Sequence, residues 1–195
     1  MMLVRSIAML SIFFAAPALA ASRASFYAGA SAARAKLEWH GFVVPADSFD
    51  YALDPAVMPR TQDSARVFYG FKAGWHAFEL FGRLARDVEA DGASYSAHAV
   101  GMDYLAYLGG LKGVEAFGLA RAAHNFGNVK LSAAVPGEGY YEWKLPLEGL
   151  SYGVGGGLQY NFEASALRAA IVREFFADAK LARADEIGLS FLIKL

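Results

Sequence analysis

The sequence predicts an all-β fold: an eight-stranded antiparallel up-and-down transmembrane barrel with short periplasmic turns and longer extracellular loops. Three observations predict it. The chain is 56% hydrophobic over 195 residues, with a mean hydropathy of +0.28, yet beyond its first 20 residues it has no run long and apolar enough for a spanning helix. Its apolar residues alternate instead. In the closing EIGLSFLIKL, Ile187, Leu189, Phe191, Ile193 and Leu195 share one parity, while Glu186, Gly188, Ser190 and Lys194 share the other. Third, the connections between such segments are short and long by turns. Inside lipid only helices and closed barrels satisfy every backbone polar group, so a helix-free, exported, apolar chain points to a barrel.

Export is read from the first residues. MMLVRSIAMLSIFFAAPALAAS has a basic Arg5, an apolar stretch from about Ile7 to Ala16, and small residues at Ala18 and Ala20 that fit a cleavage site. Residues 1–20 are therefore expected to be a cleaved signal peptide, and residues 21–195 the barrel domain. Export through this leader places the protein in the bacterial outer membrane. Cysteine is absent, which excludes disulfides and thiolate metal sites. Without Arg5 the chain keeps 17 basic residues against 19 acidic ones, a formal charge of −2. No basic stripe stands out, so no nucleic-acid partner is expected.

The strands follow in order. SFYAGASAARAKL, near 25–37, is alanine-rich on both parities and assigns no face. ARVFYGFKAGW, near 65–75, sets Val67, Tyr69, Phe71, Ala73 and Trp75 against Gly70, Lys72 and Gly74. AFELFGRLARDVE, near 77–89, separates Phe78, Leu80, Gly82 and Leu84 from Glu79, Phe81, Arg83 and Asp87. YSAHAVGMDYLAYL follows near 95–108, then GVEAFGLARAAHNF near 113–126, alanine-rich again. LSYGVGGGLQYNF, near 150–162, opposes Val154, Leu158 and Tyr160 to Gly155, Gly157 and Gln159. SALRAAIVREFF, near 165–176, opposes Leu167, Ala169 and Ile171 to Arg168 and Glu174, and EIGLSFLIKL closes the set. Each has the ~9 to 11 residues that a tilted strand needs to cross a bilayer. The apolar sets should meet lipid and the polar sets the lumen. Tight links are expected around His76, Gly109 to Lys112 and Glu163, and long ones near 38–64 and 127–149.

Phe26, Trp75, Phe78, Tyr107, Tyr160 and Phe162 lie beside the proposed periplasmic turns or the first strand's start, where an interfacial aromatic girdle belongs. A soluble sandwich or lipocalin-like barrel would alternate equally, with its apolar set turned inward.

The run GFKAGWHAFELFGRL, then GVGGGLQYNFEASALRAAIV and the final IGLSFLIKL resemble strands of the outer membrane protein A transmembrane domain and the related opacity-type, porin-family barrels. The resemblance covers essentially the whole mature chain. It implies a lumen filled by paired charges, with Glu79 and Arg168 at the family's interior acid and base. Gln159 stands where an acid is common, and the chain ends in Leu195 where the family usually ends in Phe. No peptidoglycan-binding domain follows, so the tethering role of longer relatives is not implied.

An eight-stranded barrel is just wide enough to be filled by its own side chains. Lys72, Glu79, Arg83, Asp103, Gln159 and Arg168 are therefore expected to form a buried network, the alternative being a narrow gated pore for ions or small solutes. The four histidines, His40, His76, His98 and His124, show no close metal-ligand spacing, and no metal or cofactor is expected. Ser96 and His98 share the lipid-facing parity with Val100 and Met102. Such a pair could cleave an ester if an acid oriented the histidine. Lipid A deacylases are barrels with an outward site, but their His-x-Ser-Asn motif is not matched by Ser-Ala-His, so the chain is read as non-enzymatic with this as a second alternative. The two long loops carry many apolar and aromatic residues, and the second is expected to continue its flanking strands to a turn at Pro136 to Gly139. Exposed apolar surface marks interaction sites. The expected role is structural or adhesin-like, with Trp39, Tyr140, Tyr141 and Trp143 as contacts. The expected partners are outer-membrane lipid and lipopolysaccharide and, through the loops, a host or surface protein; the barrel itself is expected to be a monomer.

Overall fold

The computed structural model describes residues 24–45, 50–90, 92–135, 139–177 and 180–195; the proposed signal peptide lies outside them. Alternation produces strands almost throughout. They are β1 (Ala24–Trp39), β2 (Phe42–Pro45), β3 (Asp50–Leu53), β4 (Thr61–Ala73), β5 (His76–Ala85), β6 (Val88–Ala90), β7 (Ala93–Leu111), β8 (Val114–Val135), β9 (Gly139–Asn161), β10 (Ser165–Phe176) and β11 (Leu181–Lys194). A 3-10 turn, Pro55–Val57, is capped by the Asp54 carboxylate on the Ala56 N–H.

Eight of these strands close on themselves. β1, β4, β5, β7, β8, β9, β10 and β11 pair antiparallel in that cyclic order, and β11 returns to β1. Every neighbour is thus a sequence neighbour except for the closing pair. The register fixes the stagger. From Arg34 the paired residues run through Ile187, Ile171, Gly156, Gly118, Ala106, His76 and Ala73 back to β1 at Ala24, ten residues below the start. Eight strands with a shear of ten tilt by about 40° to the barrel axis and leave an interior that side chains can fill.

The faces follow the alternation. On β9, Tyr160, Leu158, Val154, Tyr152 and Leu150 are all exposed, an eleven-residue run that covers roughly 25 Å of barrel height at that tilt. That is the height of a bilayer's apolar band. Its periplasmic edge carries a belt of rings: Phe71 stacks on Phe78 at 5.4 Å, Phe78 meets Tyr104 at 5.1 Å, and Phe26, Trp75, Tyr160 and Phe162 are exposed. Tyr107, expected in this belt, instead points inward and is buried. Its parity is that of Asp103 and Leu105, both lumen residues. The alanine-rich strands are now assigned: Ala30, Ala32, Ala120 and Ala122 face outward, while Tyr27, Phe117, Leu119 and Arg121 face in.

Several expected boundaries move. His76 begins β5, and the tight turn before it is Gly74–Trp75, with Gly74 at φ +60. Gly109, Gly110 and Leu111 stay in β7 beyond a bulge at Tyr107/Gly109, and the turn is made by Lys112 and Gly113, both at positive φ. β5 stops at Ala85, so Asp87 is exposed outside it rather than lumenal. The second long loop is indeed strand: β8 and β9 stay paired from Val114↔Tyr160 up to Val135↔Gly139, and the residues 136–138 of the expected turn lie outside the described ones. The first long loop holds the β2–β3 hairpin, which the sequence reading did not anticipate.

Candidate functional site

The lumen contains most of the molecule's polar chemistry, arranged in layers. Nearest the periplasmic turns, Lys72 Nζ donates to both Glu115 oxygens at 2.7 and 2.8 Å and lies 3.6 Å above the Tyr107 ring. Asn161 donates to Glu115 at 2.6 Å. One layer deeper, Arg168 pairs with Glu79 and donates through Nε and Nη2 to Gln159 Oε1, each at 3.0 Å. Tyr27 donates to Glu79 at 2.8 Å, and Tyr107 to Gln159 at 2.9 Å. Gln159 therefore accepts where an acid was expected, and Arg168 keeps Glu79 as its ion partner.

The central layer carries the densest charge. Asp103 accepts from Arg66 and, at 2.9 and 3.1 Å, from Arg121. Arg66 also reaches Glu79 at 3.2 Å, and Arg121 reaches Glu186 at 3.0 Å. Arg83 donates to Glu174 at 2.7 Å and to Asn125 at 2.8 Å, and Asn125, Ser151 and Glu174 form a donor chain at 2.7 and 2.5 Å. Four guanidinium groups (Arg66, Arg83, Arg121, Arg168) thus meet four carboxylates (Glu79, Asp103, Glu174, Glu186). Glu79, Asp103 and Glu174 have no exposure at all. Burying such charges is tolerable only because each is paired and its lone pairs are filled. The arginine faces also rest on rings: Arg66 is 5.0 Å from Phe68 and 4.8 Å from Phe81, and Arg121 is 5.0 Å from Phe81.

Toward the extracellular end the lumen turns apolar. Leu37, Trp39, Met58, Tyr95, Val129, Leu131, Leu147 and Leu181 form one buried cluster, with Trp143 packed against it. Trp39, expected as a loop contact, is only 8% exposed. Its indole meets Tyr95 edge-on at 4.9 Å and donates to the Pro59 carbonyl at 2.7 Å, so it caps the barrel rather than greeting a partner. Tyr141 and Trp143 stack at 5.6 Å on the inward parity of the β8–β9 hairpin and are half-buried. The side chain of Tyr140 lies outside the described residues.

A continuous water path would have to cross both the ion-paired layer and this apolar cap. In planar bilayers the protein is accordingly expected to give no stepwise conductance above the bare membrane. Regular ohmic steps would show that the cap opens.

All six residues expected in the lumen network face it. Glu186, set on the polar parity of the closing strand, faces the lumen as well, whereas the reading missed Arg66, Arg121 and Glu115. Arg66 shares the parity of Gly70 and Lys72, so extending that alternation upward would have found it. Arg121 sits in the alanine-rich strand where neither parity stood out.

Ser96 and His98 do face outward. Across the ladder His98 is flanked by Phe126 and Leu84, and Ser96 is opposite Asn128. The His98 ring lies 5.8 Å from Phe126, and its Nδ1 is buried without a hydrogen-bond partner. Among the described residues no acid is bonded to it, so the geometry builds no relay there. Among the described residues no group of three or more His, Asp or Glu side chains is placed to hold a metal ion.

An eight-stranded, shear-ten barrel with an apolar outside and an ion-paired inside is the fold of the small outer-membrane barrels, and this chain has it. No family model and no curated protein matches the sequence. Among solved structures it is similar to Neisserial surface protein A, at 18% identity and a TM-score of 0.64, with 89% of this chain and 100% of that one covered. It is also similar to outer membrane protein H from Pseudomonas aeruginosa, at 14% identity and a TM-score of 0.50 over 88% and 99% of the two chains. At these identities the likeness is one of fold.

Proposed function

We propose that the protein is exported through its cleaved leader to the outer membrane and works there as an inert barrel displaying a binding surface. The observation that supports this best is the closed lumen. Its arginines and carboxylates are matched, and its outer end is lined by a buried apolar cluster. The chain invests instead in height: β8 has 22 residues and β9 has 23, about twice what a bilayer crossing requires. The upper half of this hairpin stands above the apolar band, and Tyr141 and Trp143 lie half-buried on its inward side, over the barrel mouth. A rigid, aromatic-bearing hairpin suits contact with a protein on another surface, because such rings give large contact area at little entropic cost.

The test uses cells that display the full-length protein, scored for attachment to epithelial monolayers. Replacing residues 130–144 by a short turn is expected to abolish attachment while the barrel still assembles. Attachment unchanged by the shortened hairpin, or none with the intact protein, overturns the adhesive role. Lipid A from the same cells is expected to keep all its acyl chains. Loss of a chain that disappears with Ser96→Ala or His98→Ala would make the protein an esterase.

A further inference from the structure

The β8–β9 hairpin outgrows its neighbours and leaves a strand edge open above the membrane. β10 follows β9 only up to Phe176↔Ser151, and the last backbone bond between them runs from the Ala177 N–H to the Leu150 carbonyl at 2.9 Å. From Gly149 up to Gly139, β9 is paired with β8 on its other side throughout. Backbone groups point alternately to the two sides of a strand. The Leu150 carbonyl and, at the foot of the strand, the Phe162 N–H point toward β10, whereas the Asn161 N–H points to the Gly113 carbonyl beside β8. Even-numbered residues of β9 therefore face the open side.

The lower part of that edge is guarded. Pro146 faces it with no N–H to offer, which is the place in a sheet where proline is tolerated, and its carbonyl accepts from Lys180 Nζ at 3.2 Å. Proline and lysine are ordinary protections of a free edge. Above Pro146 the protection stops. Tyr140, Glu142 and Lys144 turn their N–H and carbonyl groups to the open side, where they have no backbone partner among the described residues. The side chains of Glu142 and Lys144 are exposed on the outward face, and neither has an ion pair among the described residues. Lys144 instead stands directly opposite Lys130 of β8, a like-charge pair that costs stability.

We infer that this edge pairs with the same edge of a second copy of the chain, antiparallel and centred on Trp143. In that register Glu142 lies opposite Lys144 of the second copy and exchanges both backbone bonds with it, and the two-fold axis repeats the pair on the other side of Trp143. Each Lys144 gains a carboxylate neighbour that offsets Lys130. On the inward face Tyr141 comes opposite Leu145, so apolar meets apolar there while charge meets opposite charge on the outward face. A parallel pairing in register would set Glu142 beside Glu142 and Lys144 beside Lys144, which repel. The two-fold axis crosses the sheet at right angles, so it is radial to the barrel and lies in the membrane plane. It turns the second barrel upside down, and the contact therefore joins two facing membranes rather than neighbours in one. Trp143 stands seven residues above Leu150, the top of the apolar band, which sets the two bands roughly 35 Å apart at the strands' tilt. A thick polysaccharide coat would hold the surfaces farther apart than that, so the contact belongs to membranes with short sugar chains. One such contact is small, and many copies on each surface multiply it. This inference rests on the reading of the hairpin as a contact surface and names a partner for it.

The experiment uses full-length protein in phosphatidylcholine vesicles, with donor and acceptor dyes in separate populations and energy transfer reporting tethering. No host surface is present, so its failure is read apart from that of epithelial attachment. Vesicles carrying the unmodified protein are expected to tether one another. Lys144→Pro removes an N–H on the open side without touching the ladder to β8, and is expected to abolish tethering. Vesicles carrying Glu142→Lys, or Lys144→Glu, should each tether among themselves about tenfold less, because like charges then meet at both ends of the contact. Mixing these two populations should restore tethering, since the lysines of one face the glutamates of the other. A role in folding alone would not be repaired by mixing, and heat-modifiable gel mobility reports that each variant has folded. No tethering by the unmodified protein, full tethering by Lys144→Pro, or no rescue in the mixture would each overturn the assignment. Epithelial attachment lost with Lys144→Pro, in a protein that tethers no vesicles, would give the edge to a foreign strand instead.

Discussion

Asp103→Asn is expected to lower the barrel's stability by about 3–5 kcal/mol, because it leaves buried arginines without their shared counter-charge. Asp103 has no exposure and accepts from both Arg66 and Arg121. Arg121 would retain Glu186, and Arg66 would retain Glu79 at a longer distance, so the network would be left with one positive charge too many rather than collapse. The side chain keeps its size, so lost packing does not explain the effect. Urea unfolding of the protein in lipid vesicles checks this through the midpoint. A midpoint shift of less than roughly 1 kcal/mol, the range of an exposed ion pair, would mean that water reaches this layer and that the lumen is not sealed.

Leu189→Arg is the second large effect. Leu189 is 69% exposed and lies near the middle of the outward apolar band on β11, between Ile187 and Phe191. On the surface of a soluble protein this change would be nearly neutral. Facing the bilayer midplane it should cost about 2–4 kcal/mol. The same vesicle unfolding experiment reads it. A destabilisation confined to vesicles and absent in detergent would locate the cost in lipid, whereas no cost in either would remove the membrane from the account.

The sequence made the outside of this molecule more legible than its mouth. Alternation over Leu189, Phe191 and Ile193, or over Val67, Tyr69 and Phe71, identifies a face because a lipid-covered sheet needs one greasy side and only one. Lys72, Glu79, Arg83, Asp103, Gln159 and Arg168 were readable as lumenal by the same parity, and all six are there. Parity carries no information where both sides are small, which hid Arg121 among alanines. It also cannot report depth. Trp39 and Tyr107 were assigned from their place along the chain, near a loop and near a turn, yet each is drawn inside by partners far away in sequence: Pro59 and Tyr95 for the first, Gln159 for the second. The cap has the same origin. Leu37, Val129, Leu147 and Leu181 come from four separate strands, and only the closed barrel brings them together.

The central claim, that lipid covers this barrel and its own side chains fill it, is tested most directly by spin labels in vesicles. The chain has no cysteine, so each introduced one is unique. Labels at Leu158, Ile171 and Leu189 should be relaxed strongly by oxygen and hardly at all by a water-soluble nickel complex. A label at Ser190, buried on the lumen parity of β11, should be shielded from both. Nickel relaxation at the first three sites would contradict the lipid coat, and nickel relaxation at Ser190 would contradict the sealed lumen.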